Sequence, residues 1–174
     1  MAMVVDIHNG TGVVTGTFAA VSAVKWNRVD TAVGTTVIPT PTATGTNFSF
    51  VKTFQIQITT VNSLAMSAVK VGKVANETTT GTKLWHVTSH TTYVQATAAP
   101  TATGDNNTTA PTVNSASATA LPLISGASAY AAGPYSTTGR QGNLVEIVLG
   151  VDATNTTAGS AVATPTLRWE WTES

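Results

Sequence analysis

The sequence contains no cysteine, which excludes disulfide bridges and thiolate metal sites. Charge is also scarce, because Lys, Arg, Asp and Glu make up only 9% of the chain, against about 25% in an average domain. The eight basic and eight acidic residues balance, and neither sign forms a run. A protein that binds nucleic acid or an anionic membrane surface needs a basic face, so we expect neither partner.

Long apolar segments are missing as well. No run of 18 apolar residues exists, so no membrane-spanning helix is expected. The N-terminal sequence MAMVVDIHNGTG lacks the basic start and the apolar core of a signal peptide. Together with the lack of cysteine, this favours assembly in a reducing cytoplasm. A nearly neutral chain with few charges has weak self-repulsion, which suits a protein that docks onto another.

Threonine is abundant instead, with 35 residues in a chain of 174. Its branched Cβ and its hydroxyl favour strands and turns over helices. The large apolar residues (Ile, Leu, Met, Phe, Trp and Tyr) number only 27, which is enough for one core but not for two. The expected organisation is therefore a single domain over residues 1–174.

Three segments alternate apolar and polar residues with the period of a half-buried strand. The longest is residues 47–61, NFSFVKTFQIQITTV, which we predict to be one central strand. Residues 143–151, NLVEIVLGV, and the closing TLRWEWTES show the same pattern. The apolar positions of the three segments are Phe48, Phe50, Phe54, Ile56 and Ile58, then Val145, Ile147, Leu149 and Val151, then Leu167, Trp169 and Trp171.

Shorter segments bring the expected number of strands to between seven and nine. They lie at residues 4–18, with a turn at Asn9-Gly10-Thr11-Gly12, and at residues 64–74, with a bulge at Gly72. Residues 83–88 and 91–95 are two further predicted strands. Many short strands without convincing helices predict an all-β fold, an antiparallel β-sandwich of immunoglobulin-like or jelly-roll type.

The segment from residue 96 to 142 has little periodicity and is rich in Thr, Ala, Ser, Pro and Gly. A loop of this length is unusual inside a compact domain. Isolated large residues interrupt it, among them Leu121, Leu123, Tyr130 and Tyr135. We interpret the segment as a long arm or insertion, anchored at these residues or forming a short strand pair over a neighbouring subunit.

No residue pattern indicates catalysis, and we expect no catalytic residue, cofactor or metal. His86 and His90 have the spacing that chelates a metal on a helix, but on a strand four residues span about 13 Å. The tryptophans at 85, 169 and 171 allow two interpretations. They stack on sugars in a carbohydrate-binding module, or they fill the core or a subunit interface, and we favour the second.

Five segments together resemble structural proteins of tailed bacteriophages. They are FSFVKTFQIQI, SLAMSAVKVG, KLWHVTSHTTYVQAT, YSTTGRQGNLVEIVLGVDAT and TPTLRWEWTES, and they cover roughly residues 47–95 and 135–174. The resemblance does not extend over residues 96–134, and it carries over no catalytic or binding residue. It implies a virion component on the capsid exterior, a decoration (cement) protein.

The expected function is therefore that of a non-enzymatic virion protein that stabilises a capsid by bridging its subunits. The expected partners are the major capsid protein and further copies of the chain, as a trimer, with no small-molecule substrate. The alternatives are a tail or head–tail connector subunit and a carbohydrate- or receptor-binding module. We expect contacts in residues 1–8, 38–41 and 96–135 and in the last strand, namely at Val4, Val5, Ile38, Pro39, Pro41, Leu121, Leu123, Tyr130, Tyr135, Trp169 and Trp171.

Overall fold

The computed structural model describes residues 3–11, 17–21, 26–30, 38, 45–100, 110–154 and 166–174. These residues form an antiparallel all-β fold, which confirms the predicted fold class. A single turn of 3-10 helix lies at Ile124–Gly126. The strands are β1 (Val4–Thr11), β2 (Thr17–Ala20), β3 (Thr46–Phe48), β4 (Lys52–Thr60), β5 (Met66–Lys73), β6 (Thr82–Val87), β7 (Thr112–Val113), β8 (Ala116–Ser117), β9 (Thr119–Ala120), β10 (Ala129–Ala131), β11 (Gly139–Asp152) and β12 (Leu167–Glu173).

The strands form two facing sheets and one small hairpin. The main sheet has the order β2-β1-β4-β11-β6-β9, and β3 also pairs with β11. The minor sheet has the order β10-β5-β12, and β7 pairs with β8 in a separate hairpin. The longest strand, β11, lies in the middle of the main sheet between β4 and β6.

The core lies between the main and the minor sheet. From the main sheet, Phe54 and Ile147 are buried in it, and Val71 of the minor sheet packs in the same cluster. A second cluster joins Ile58 of the main sheet to Val69 of the minor sheet. The alternation of strand β4 therefore exists because one of its faces packs against the minor sheet.

The other face of the main sheet is also covered. Val148 of β11 and Trp85 of β6 are buried there, beneath Val113 and Ala118 from the β7–β8 region. Residues 144–151 are consequently buried on both faces of the sheet. This is why the sequence NLVEIVLGV is apolar at nearly every position and not only at alternate ones.

The predicted single strand at residues 47–61 is wrong in one respect, because β3 and β4 are separated at residues 49–51. The N–H of Ser49 donates to the carbonyl of Leu149 (2.8 Å), and the Leu149 N–H donates to the Ser49 hydroxyl (3.0 Å). The chain changes face at this point. Phe48 packs on the outer face of the main sheet, whereas Phe54 packs in the inter-sheet core.

Three local predictions are also corrected. Asn9 and Gly10 lie inside β1 and not in a turn, because both residues pair with β2. The Phe18 ring of β2 packs over Gly10, where an added Cβ would lie 2.7 Å from the ring. Residues 91–95 form no strand, and Tyr93 packs edge-on against Phe18 at 5.6 Å. The bulge of β5 lies at Ala68, whose φ is 51°, and not at Gly72.

Residues 110–142 of the predicted arm are built into the fold. Strand β9 pairs with β6, and β10 pairs with β5. Between them the N–H of Leu121 donates to the carbonyl of Leu84 (2.9 Å), and the Leu121 side chain is buried in the inter-sheet core. The interpretation of these residues as an extended arm is therefore wrong, because their short strands pair within the chain. Residues 101–109 lie outside the described part of the chain.

Candidate assembly surface

Strand β12 forms an edge of the minor sheet and pairs, among the described strands, only with β5. The backbone groups of Thr166 and Ser174, which flank the strand, hydrogen-bond to the β5 side at 2.9 and 3.1 Å. Because backbone direction alternates along a strand, the N–H and C=O groups of Leu167, Trp169 and Trp171 point away from β5. The described residues offer these groups no strand partner, so β12 presents an open ladder.

The side chains of β12 divide between the two faces of the minor sheet. Leu167, Trp169 and Trp171 pack toward the inter-sheet core, where they are half-buried. Arg168 and Glu170 lie on the solvent face, and the Arg168 Nε is 3.1 Å from the Glu170 Oε1. The predicted strand with its two indoles on one face is confirmed. Its position at a sheet edge was not predicted.

The indole of Trp169 is part of the core. Its ring lies 5.7 Å from that of Phe54 in the main sheet. The Trp169 Nε1 and the neighbouring Tyr130 hydroxyl are both buried, without a hydrogen bond of ordinary geometry. Burial raises the pKa of the Tyr130 hydroxyl. The contact with Phe54 and the buried Nε1 favour a role in the core over that of a flat platform for a sugar.

Exposed apolar side chains lie at both ends of the sandwich. At one end are Val4, Val61 and Leu64, close to where β1 begins and β4 ends. At the other end Val74 is 52% exposed and Leu123 is 36% exposed, and they are neighbours because Lys73 pairs with Leu123. Such side chains are candidates for contact with a partner.

The residues predicted to make contacts fall into three groups. Ile38 (6% exposed) and Leu121 (1% exposed) lie in the chain's own core, so their prediction as contact residues is wrong. Pro39 and Pro41 lie outside the described residues. The remaining positions are at the surface or half-buried, namely Val4, Val5, Leu123, Tyr130, Tyr135, Trp169 and Trp171.

His86 and His90 bind to different groups. The Nδ1 of His86 is 3.1 Å from the carbonyl oxygen of Thr119, and burial lowers the pKa of this imidazole. His86 lines a shallow cleft of about 330 Å³ whose other polar walls include Thr88, Ser128 and Tyr130. The described residues that line the cleft include no charged side chain, and the cleft lies beside β9 and β10.

Glu146 is a fully buried carboxylate that sequence reasoning missed. Its Oε2 lies 2.5 Å from the Nδ1 of His90, and its Oε1 accepts a hydrogen bond from the Asn114 amide at 2.5 Å. The three side chains tie β11 to the loop after β6 and to the β7–β8 turn. The available signal was a glutamate in the middle of the apolar run NLVEIVLGV, since a buried charge needs partners.

Within the described ranges, no three His, Asp or Glu side chains come together in a way that could hold a metal ion. The same part of the chain contains no helix that is long and apolar enough to cross a membrane. Comparisons with protein-family models, with curated proteins and with solved structures give no significant match.

Proposed function

We propose that the chain is a non-enzymatic virion structural protein, which decorates and stabilises a tailed-phage capsid by bridging its subunits. The observation that carries the proposal is the open edge of β12, a seven-residue strand whose outer backbone groups have no strand partner among the described residues. An open strand edge promotes aggregation of a monomeric protein, whereas in a protein that assembles it contributes to the binding free energy.

Two further observations support this function. Apolar side chains are exposed at both ends of the sandwich, where a neighbouring subunit would remove them from water. Charged residues make up only 9% of the sequence, so docking desolvates few ions. The proposed partners are further copies of the chain and the major capsid protein, on the outside of a particle assembled in the host cytoplasm.

The binding of the purified chain to particles that were assembled without it tests this function. The gene is deleted, the particles are purified, and the protein is added back at increasing concentration before sedimentation. We expect it to sediment with the particles and to saturate at a fixed ratio to the major capsid protein. Binding to tails only, or closed rings without particles, would support a tail or connector subunit instead. A protein that binds to no part of the particle contradicts the proposal.

A second candidate function is the binding of a neutral saccharide in the cleft beside His86. An uncharged lining of hydroxyl and imidazole groups matches the hydrogen-bonding groups of a sugar ring. Titration of the protein with neutral oligosaccharides, followed by NMR of the Thr119 and Ser128 amides, tests this candidate. The variant Thr119→Val is the matched control, because it keeps the side-chain shape and removes one hydroxyl of the cleft wall.

A further inference from the structure

We infer that β12 binds β12 of a second copy of the chain in an antiparallel pair around a two-fold axis at Trp169. This inference rests on the proposed assembly function and names the partner of the open edge. The two minor sheets would become one continuous sheet of six strands, by the edge-to-edge addition that is common in protein recognition. The contact is isologous, because the same strand contributes to both sides.

The length of β12 favours it over the other described sheet edges. Strand β12 has seven residues, whereas β2 has four, β3 and β10 have three each and β9 has two. Strand β12 also contains no proline, so every outward N–H can donate. The backbone N–H and C=O groups of Leu167, Trp169 and Trp171 point away from β5, so the pairing would add about six backbone hydrogen bonds.

The charges of β12 select the register. When Trp169 faces Trp169 of the second copy, Arg168 lies opposite Glu170 of the other strand, and the two-fold axis repeats this pair. These are the positions between the hydrogen-bonded pairs, where the Cα atoms come within about 4.5 Å and side chains are closest. A shift of the register by two residues along either strand would break both charge pairs.

Charge reversal on β12 tests this register. Arg168→Glu places Glu opposite Glu, and Glu170→Arg places Arg opposite Arg, so each variant alone should dimerise at least about tenfold more weakly than the wild type. An equimolar mixture of the two variants restores opposite charges across the interface, although each chain still carries like charges on its own strand. Masses are measured by sedimentation over a range of concentrations.

The mixture should recover the dimer mass, and the matched control Arg28→Glu should dimerise as the wild type does. Arg28 is exposed and lies outside β12, so it carries the same change of charge elsewhere. At a concentration where every chain is monomeric, Arg168→Glu and Arg28→Glu should unfold at nearly the same temperature as the wild type, because exposed ion pairs contribute little to stability. Glu170→Arg should unfold at a slightly lower temperature, since it places Arg opposite Lys70 of β5.

Disulfide formation checks the register independently, since the natural chain has no cysteine. Under oxidising conditions, Arg168→Cys mixed with Glu170→Cys should give a covalent dimer, because the expected separation of the two Cα atoms suits a disulfide. Either variant alone should form much less covalent dimer. The inference is overturned by a wild-type chain that stays monomeric, by a mixture that does not recover, or by a trimer that the charge variants leave unchanged. None of these outcomes depends on binding to a capsid, so each is separate from a failure of the particle experiment.

Discussion

The indole of Trp169 packs against the ring of Phe54 with the two centroids 5.7 Å apart and the ring planes at 59°. Phe54 belongs to the main sheet and Trp169 to the edge strand of the minor sheet. This tilted contact, which is typical of aromatic pairs, therefore fixes the minor sheet on the main sheet. The same strand can then present its backbone to a partner without leaving the sandwich.

Trp169→Ala should lower the free energy of unfolding by about 3 kcal/mol, because it removes a large ring from the inter-sheet core. Urea unfolding at low protein concentration measures this loss. Trp169→Phe, which keeps an aromatic ring, is the control and should lose less. A variant with unchanged stability and lost glycan binding would show that the indole is a sugar platform after all.

The pH dependence of Lys52 gives a second prediction. This side chain is buried, and its Nζ donates to the Asn27 Oδ1 (2.8 Å) and to the Val29 carbonyl (2.7 Å). Burial lowers the Lys52 pKa from 10.5 to about 8, against an opposing effect of Asp30. Between these two pH values the unfolded chain holds the proton more firmly than the folded chain does.

The contribution of Lys52 to stability should therefore increase as the pH rises from 8 to 10. The measurement is the free energy of unfolding of the wild type minus that of Lys52→Met, determined at several pH values. Taking this difference cancels the contributions of groups that titrate in both proteins, such as tyrosines. A difference that stays flat or falls over this range contradicts the lowered pKa.

The close approach of two backbones at Gly72 gives a third prediction. A Cβ at this position would lie 2.7 Å from both the N and the Cα of Ile124 in the 3-10 helix. Gly72→Ala should destabilise the fold by about 1–3 kcal/mol, because backbone atoms cannot move aside easily. Gly126→Ala in the same helix is the control, since nothing lies within 4 Å of the added carbon. Equal effects of the two variants would show that the packing is not as described.

The buried carboxylate of Glu146 gives a fourth prediction. Glu146→Ala leaves His90 and Asn114 without their partner, and the expected loss of stability is about 3 kcal/mol. The loss of stability should be largest in the two segments that hold His90 and Asn114 over Glu146. Amide hydrogen exchange should therefore accelerate in residues 88–95 and 111–118 more than in β1. Glu146→Gln keeps the shape and one acceptor, so its effect should be smaller, and uniform exchange across the sheet would contradict this role.

The regular parts of the fold could be predicted because they repeat a simple period. Residues 54–58 and 167–171 alternate as the sheets require, residues 145–151 form a nearly continuous apolar run, and all three segments lie in strands. The break at Ser49 could not be predicted, because it depends on hydrogen bonds to Leu149, a hundred residues away. The role of residues 110–142 was missed for a similar reason, since short segments such as β9 and β10 gain their order from strands elsewhere in the chain.

The candidate surface could be predicted only in part. The alternation of Trp169 and Trp171 with Arg168 and Glu170 is visible in the sequence. Whether such a strand lies at the edge or in the middle of a sheet depends on the strand order, which the pattern does not contain. The sequence wrongly predicts Leu121 and Ile38 as contact residues, because an apolar residue in a polar segment has the same pattern whether it packs on its own core or on a partner.

The protein content of purified particles shows whether the chain is a structural part of the virion. Particles released by the organism that encodes the chain are purified on a density gradient, and their proteins are quantified by mass spectrometry. We expect the chain in the particle fraction at a fixed ratio to the major capsid protein, and we expect this ratio to be kept after washing with salt. Particles that lack the chain, or that hold only a variable trace of it, would contradict a structural role in the virion.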